Sequence, residues 1–281
     1  MYSVLEQTYP CHVVLSDQGS TDNTFEIMRA IVANYSGPHR VSLLRCPITE
    51  PRGMRGMNAH LDWIMSQTDE DVIVITSADD LAMPERTSRC AKAFEEHKPD
   101  MVLTAMHNYE PDGTYFGSTV APREDDGLVT PEKCINMLVG GSTAHAWTRE
   151  FYEAVGGFCG AGAICGFDAF WPFLATVRNG AWYIRDHLHV YVRHCDPNNT
   201  GLEGVFRAAE EDGKLALEEL MHFQVTTSYI NAAKIMQRWE CKNNDETVVM
   251  LYNEILGRTS NWSRVRSEMT VRGIAPLPMK A

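Results

Sequence analysis

Asp79 and Asp80 are adjacent carboxylates at the end of a β-branched run, Asp71-Val72-Ile73-Val74-Ile75-Thr76-Ser77-Ala78. In an open α/β sheet, ligands bind outside the carboxyl ends of the strands. Paired carboxylates at that place suit a hard divalent cation, and a cation suits a phosphate ligand. Read alone, the pair serves equally well as a cap for the next helix, with Pro84 in its first turn. Three further places carry chemistry-bearing side chains at strand ends or helix starts. Asp17 precedes Gly19, Ser20, Thr21 and Asp22, a tight turn followed by good helix caps. Arg52-Gly53-Met54-Arg55-Gly56 leads into a helix through Asn58, so its arginines either receive a phosphate or line a solvated loop. Asp168 and His194 flank a later helix and strand; alone, the first is a charge favoured by a helix N-terminus and the second a surface histidine.

Positioning these groups requires an alternation of elements. Cys11 to Ser16 reads as a strand, about Asp22 to Tyr35 as a helix and Val41 to Arg45 as a strand. A helix through Asn58, His60, Leu61 and Ile64 follows, then the central run to Asp80, read as a strand buried on both faces. Pro84 to His97 is the next helix and Met101 to Met106 the next strand. This order predicts an α/β fold with a mixed, mostly parallel sheet flanked by helices. Asn108 to Asp126 reads as a hairpin or excursion, and Ala144 to Thr148 as a strand. The small-residue stretch from Gly156 to Gly166 reads as mobile or substrate-facing. A helix from Phe167 to Arg178 and a strand from Ala181 to Val192 complete the domain, set at residues 1–200. Residues 201–281 are rich in helix formers and are expected to form a helical C-terminal appendage.

Composition sets outer bounds. A hydrophobic content of 44% supports a sizeable core, and a net charge of -12 opposes a general grip on nucleic acid or anionic lipid. No apolar run is long enough for a membrane span. The eight cysteines include no Cys-x-x-Cys pair, which points to reduced thiols and a cytoplasmic protein. Trp147, Trp171 and Trp182 read as core residues rather than sugar-stacking rings.

In order along the chain, Ser3-Val4-Leu5-Glu6-Gln7-Thr8-Tyr9-Pro10, Ser16-Asp17-Gln18-Gly19-Ser20-Thr21-Asp22-Asn23-Thr24, the glycine loop to Asn58, Ser77-Ala78-Asp79-Asp80, Val155-Gly156-Gly157-Phe158, Phe167-Asp168 and Arg193-His194 form one constellation. With it the chain resembles the family 2 glycosyltransferases, which have a GT-A fold. The resemblance covers roughly residues 3 to 195. It implies an inverting, metal-dependent transfer of a sugar from a nucleotide-diphosphate donor, UDP-linked by expectation, to the hydroxyl of a glycan or other acceptor. By the same resemblance Asp17 contacts the base, and Asp79 binds Mn2+ or Mg2+ on the donor diphosphate. Asp168 is the general base, and His194 lies near the metal as a candidate ligand. Gly19, Ser20, Arg52, Arg55, Asn58 and Ser77 complete the expected donor site.

Three departures from the family pattern stand out. Ser77 replaces the first carboxylate of the metal motif, and Phe167 replaces a glutamate that often precedes the base. The family also begins with a strand and a Pro-Thr-Tyr-Asn-like turn that helps hold the base, whereas this sequence starts within the following helix. The chain is then truncated, its start misassigned, or its base pocket built differently. A sheet short of one inner strand exposes an unpaired edge, from which poor solubility or a homo-oligomer is expected. Two rivals follow: a catalytically weak nucleotide-sugar or glycan-binding protein, favoured by Ser77 and the absent strand, and a nucleotidyltransferase. The latter lacks a lysine-bearing glycine loop for a triphosphate.

Overall fold

The computed structural model describes residues 1–47, 54–118, 121–136, 144–160 and 167–192, together with Ile235, Met236, Arg238 and Trp239. The chain forms two compact units, Met1–Gly201 and Leu202–Ala281. Apart from those four residues, the expected helical appendage lies outside the described residues.

Among the described residues, seventeen elements build the first unit. Helix α1 (Tyr2–Leu5) precedes β1 (His12–Asp17), α2 (Thr24–Ala33), β2 (Arg40–Arg45) and α3 (Met54–Ser66). Then come β3 (Val72–Val74), β4 (Leu81–Ala82), α4 (Arg86–His97), β5 (Met101–Tyr109), β6 (Tyr115–Ser118) and β7 (Gly127–Leu128). Helix α5 (Pro131–Asn136), β8 (His145–Thr148), α6 (Arg149–Val155), α7 (Gly157–Gly160), α8 (Phe167–Val177) and β9 (Ala181–Val192) complete it.

The strands fall into two sheets. β1 and β2 pair in parallel, from His12 opposite Arg40 to Asp17 opposite Arg45. The larger sheet runs β3-β8-β5-β9-β4, with β6 added to β5 and β7 to β9. β8 is antiparallel to both β3 and β5, and β5 is parallel to β9, so β3, β5 and β9 point the same way. The α/β expectation is met, but the larger sheet is not mostly parallel: among its described strands only β5 and β9 pair in parallel. The short strands β4, β6, β7 and β8 supply the antiparallel pairs that make the sheet mixed.

The central run differs from its expected form. It pairs with β8 only through Val72, Ile73 and Val74. Val72 is 36% exposed and its neighbours are half-buried, not covered on both faces. After Val74 the chain leaves this edge of the sheet and crosses to β4 on the opposite edge. Among the described strands, β1 pairs only with β2 and β3 only with β8, so each keeps one unpaired edge. Polar side chains bridge the two sheets at the start of these strands. His12 Nδ1 lies 2.5 Å from Glu70 Oε1, and Arg40 pairs with the same carboxylate. Burial acts to raise the Glu70 pKa, but the bonds from His12 and Arg40 prevail and lower it.

Two apolar cores match the two sheets. Leu5, Val13, Leu15 and Met28 cluster beneath β1. Cys90, Ala93 and Phe94 of α4 pack on Val102, Ala146, Ile184 and Leu188 of the larger sheet. A third cluster joins β8, α6, α7 and α8 through aromatic edges. Trp147 meets Trp171 at 5.4 Å and 87°, and Phe158 stacks on Trp171 at 4.8 Å. Trp147 and Trp171 are buried as expected; Trp182 is half-buried and stacks on His97 at 3.5 Å.

The glycine pair at 156–157 turns the chain into this aromatic core. Gly156 closes α6 at φ 90° and Gly157 follows at φ 72°. A Cβ on Gly157 would lie 2.8 Å from Asp62 Oδ1. That oxygen accepts bonds from the Tyr152 hydroxyl at 2.7 Å and the Phe158 amide at 2.8 Å. The expected substrate-facing stretch therefore begins as packed structure, α7; residues 161–166 lie outside the described residues.

Candidate functional site

The segment after β3 separates the roles of its two carboxylates. Asp80 is 3% exposed. Its Oδ2 lies 3.0 Å from His189 Nε2, and its Oδ1 accepts the Val192 amide at 3.1 Å. Burial is the largest influence on His189 and lowers its pKa, against the pull of Asp80. The imidazole is then neutral, with Nε2–H donating to Asp80. Asp79, one residue earlier, is exposed. Neither residue caps α4, whose N-cap is Glu85 and carries no side-chain cap bond. Asp80 is thus an internal anchor to the end of β9, and Asp79 stands on the solvent side of the anchored turn.

Arg86 supports the same segment from below. It is wholly buried, and its Nη1 donates to Ile75 O and to Thr76 Oγ1, both at 2.8 Å. Nη2 reaches His145 O at 3.3 Å. Burial brings its pKa down to about 10, with Cys90 and Asp80 pulling the other way. A charged, planar donor fork thereby holds the two residues just before Ser77-Ala78-Asp79. Ser77 is half-buried and its carbonyl accepts the Asp80 amide at 3.4 Å.

A second group forms at the end of β1. Asp17 is buried, and its oxygens accept the Gly19 amide at 3.1 Å and the Ser20 amide at 3.2 Å. Gly19 takes φ 76°, which explains the glycine there. Arg45 Nε stands 3.7 Å from Asp17. The turn is tied to α3: Gln18 Nε2 donates to Gly56 O at 2.9 Å, and Ser16 Oγ lies 2.7 Å from His60 Nε2. Asn58 is buried on the same helix. In this structure the Asp17 carboxylate therefore serves its own turn and faces inward.

Not every expected site residue is placed. Arg52 and His194 lie outside the described residues, as do the side chains of Arg55 and Asp168. The backbone puts Arg55 in the first turn of α3 and Asp168 in the first turn of α8. Pro172 lies inside α8 and removes the amide that would bond the Asp168 carbonyl in a regular helix. The rest of α8 is sealed in the core, with Phe170, Trp171, Phe173 and Leu174 wholly buried.

Among the described residues, no three His, Cys, Asp or Glu side chains converge as a metal set. An exposed carboxylate on an anchored turn still fits a hard cation brought in on a diphosphate, because such an ion takes one or two protein carboxylates plus substrate oxygens and water.

Sequence reasoning overlooked Arg86 and His189. Arg86 carried a readable signal: it starts the stripe Arg86, Cys90, Ala93, Phe94, the spacing of a buried helix face. His189 carried none, since its bond to Asp80 joins distant parts of the chain.

The profile of the family described as Glycosyl transferase family 2 matches residues 1–156. No curated protein matches the chain significantly. Among solved structures, S. aureus TarS 1–349 in complex with UDP-GlcNAc aligns with a TM-score of 0.60 at 14% identity, covering 98% of this chain and 71% of that one. A second structure of S. aureus TarS 1–349 aligns with a TM-score of 0.50 at 15% identity, covering 90% and 86%.

Proposed function

The chain belongs to glycosyl transferase family 2, and from that premise we propose an inverting, metal-dependent transfer of a sugar from a UDP-linked donor to an acceptor hydroxyl. Membership and the GT-A fold make it a glycosyltransferase; donor, metal and stereochemistry are our reading. The observation that carries the reading is the division of labour at the crossing turn, with Asp80 spent on His189 and Val192 and Asp79 presented outward. The TarS complex with UDP-GlcNAc supports a uridine donor.

In this reading Asp79, with His194, would hold Mn2+ or Mg2+ against the donor diphosphate. The cation, when bound, neutralises charge on the departing diphosphate. Arg52 and Arg55 would bind the same phosphates, Arg55 from the first turn of α3, where a helix N-terminus favours anions. Asp17, Gly19, Ser20 and Asn58 form the base side of the site, and Ser77 hydrogen-bonds the ribose without adding charge. Asp168 takes the acceptor hydroxyl proton onto a carboxylate oxygen. The acceptor oxygen then bonds to the anomeric carbon as the carbon–oxygen bond to the diphosphate breaks, inverting that carbon. Residues 1–200 form the catalytic domain and residues 201–281 an appendage. Cys11, Cys90 and Cys134 are free thiols, which supports action in the cytoplasm. No helix among the described residues is long and apolar enough to cross a membrane.

The alternative is a catalytically weak nucleotide-sugar binder, favoured by Ser77 and by the unpaired edges of β1 and β3. Asp168→Asn separates the two. For the enzyme, donor turnover falls by about 100-fold or more while UDP affinity holds. A turnover unchanged by Asp168→Asn, or a loss of UDP binding, contradicts the base assignment.

A further inference from the structure

The β5–β6 hairpin carries a set of rings to which the donor site assigns no work. His107 of β5 stacks on His187 of β9, with centroids 4.0 Å and planes 4° apart. Tyr115 of β6 meets His107 edge-on at 5.7 Å, and Tyr109 lies 5.5 Å from Tyr115. Hydroxyl bonds hold the set in place: Tyr115 Oη and Ser118 Oγ are 2.7 Å apart, and Ser118 Oγ lies 3.1 Å from His107 Nδ1. Tyr115 nevertheless remains 51% exposed, and Phe116 beside it 39%. These are oriented aromatic faces left in water, unlike the sealed rings of Trp147 and Trp171.

Their position relates them to the Asp79-Asp80 turn. β9 lies between β5 and β4, and its Val190 pairs with His107 on one side and with Leu81, the residue after Asp80, on the other. Two strand spacings, about 10 Å, therefore separate His107 from the turn, and Tyr115 on β6 stands one spacing further, about 15 Å, a span that a short glycan covers. Val192, opposite Tyr109, is the residue whose amide anchors Asp80.

Charge narrows what the rings receive. Residues 107–118 contain Glu110 and Asp112 and no lysine or arginine, within a chain of net charge -12. An anionic acceptor, such as a phosphate-linked polymer or a nucleic acid, would meet these two carboxylates with no cation on the hairpin to offset them, and Arg185 on β9 is already beside Asp125. A neutral pyranose has no such conflict, and its C–H face matches an aromatic surface with a negative face and polar tips.

We propose that His107, Tyr109, Tyr115 and His187 form an acceptor platform on which a neutral pyranose ring stacks, so that the acceptor is an uncharged glycan. The proposal rests on the glycosyltransferase reading for its reacting site. The test is saturation-transfer NMR with methyl β-glucoside, methyl β-galactoside, methyl α-mannoside and methyl β-N-acetylglucosaminide, with UDP calorimetry in parallel. The expected result is saturation on the ring C–H protons of at least one glycoside. Tyr115→Ala should weaken it by about 2- to 10-fold, Tyr115→Phe should retain it, and UDP binding should be equal in all three proteins. No saturation from any of the four glycosides, or equal saturation in Tyr115→Ala and wild type, overturns the platform even where UDP binds. Glycoside binding lost in Tyr115→Ala, with no UDP binding in wild type, keeps the platform and overturns the donor reading.

Discussion

The two sheets differ in how firmly they are held, and the proposed site draws on both. In the larger sheet β5 is paired on both sides, and Met101, Val102 and Leu103 are wholly buried. β1 and β2 have only each other, and β2 is half-buried to exposed along its length. The Asp79 turn, proposed to hold the metal, hangs from the first sheet through Arg86, Asp80 and His189. The Asp17 turn, proposed to hold the base, hangs from the second. In the proposed site a firmly held diphosphate side stands beside a more loosely held base side, and each half can be disturbed alone.

The largest effect is expected at Arg86. Arg86→Leu removes the bonds to Ile75 O, Thr76 Oγ1 and His145 O and leaves those acceptors without that donor. A loss of about 3–5 kcal/mol in urea unfolding is expected, centred on the larger sheet. A loss below about 1 kcal/mol would mean that the Asp79 turn is held by other means.

The unpaired edges of β1 and β3 come next. Amides of β1 should exchange with solvent at least about tenfold faster than those of β5 in hydrogen-exchange measurements. Open edges also favour self-association, so sedimentation should detect species larger than a monomer. A stable monomer with β1 protected as well as β5 would erase the contrast between the sheets.

The smallest effect is a pH response at His60 on the β1 side. Burial lowers the His60 pKa, with nearby Asp17 opposing. The folded state therefore prefers the neutral ring, and the unfolded chain binds the proton more readily. Stability is full above the ordinary imidazole value of about 6.5 and declines as pH falls through it toward the lower folded value. Trp63 stacks near His60 at 6.3 Å, so its fluorescence should change over that window in wild type and stay flat in His60→Gln. An equal change in both would assign the response elsewhere.

Much of this was legible in the residues, and the rest was not for reasons of range. The order of elements followed from local periodicity, because turns such as Asp17–Ser20 and caps such as Thr148, which accepts the Phe151 amide at 3.1 Å, are written in adjacent residues. The end of β3 was misjudged, because an apolar run continues to Ile75 while pairing stops at Val74. Where pairing stops depends on β8, more than 70 residues away. The same applies to Asp79 and Asp80, which are identical in type and adjacent in sequence. Only His189 and Val192, from β9, tell them apart. At Asp17 the adjacent residues foretold the tight turn, whose Gly19 and Ser20 amides bond the carboxylate.

The unequal roles of Asp79 and Asp80 are tested most directly by calorimetric titration of UDP, with and without Mn2+, into wild type and Asp79→Ala. Manganese-dependent binding in wild type that disappears in Asp79→Ala is the predicted result, because Asp80 is committed to His189 and Val192 and cannot substitute. Manganese-dependent binding that survives in Asp79→Ala would contradict the division between the two carboxylates.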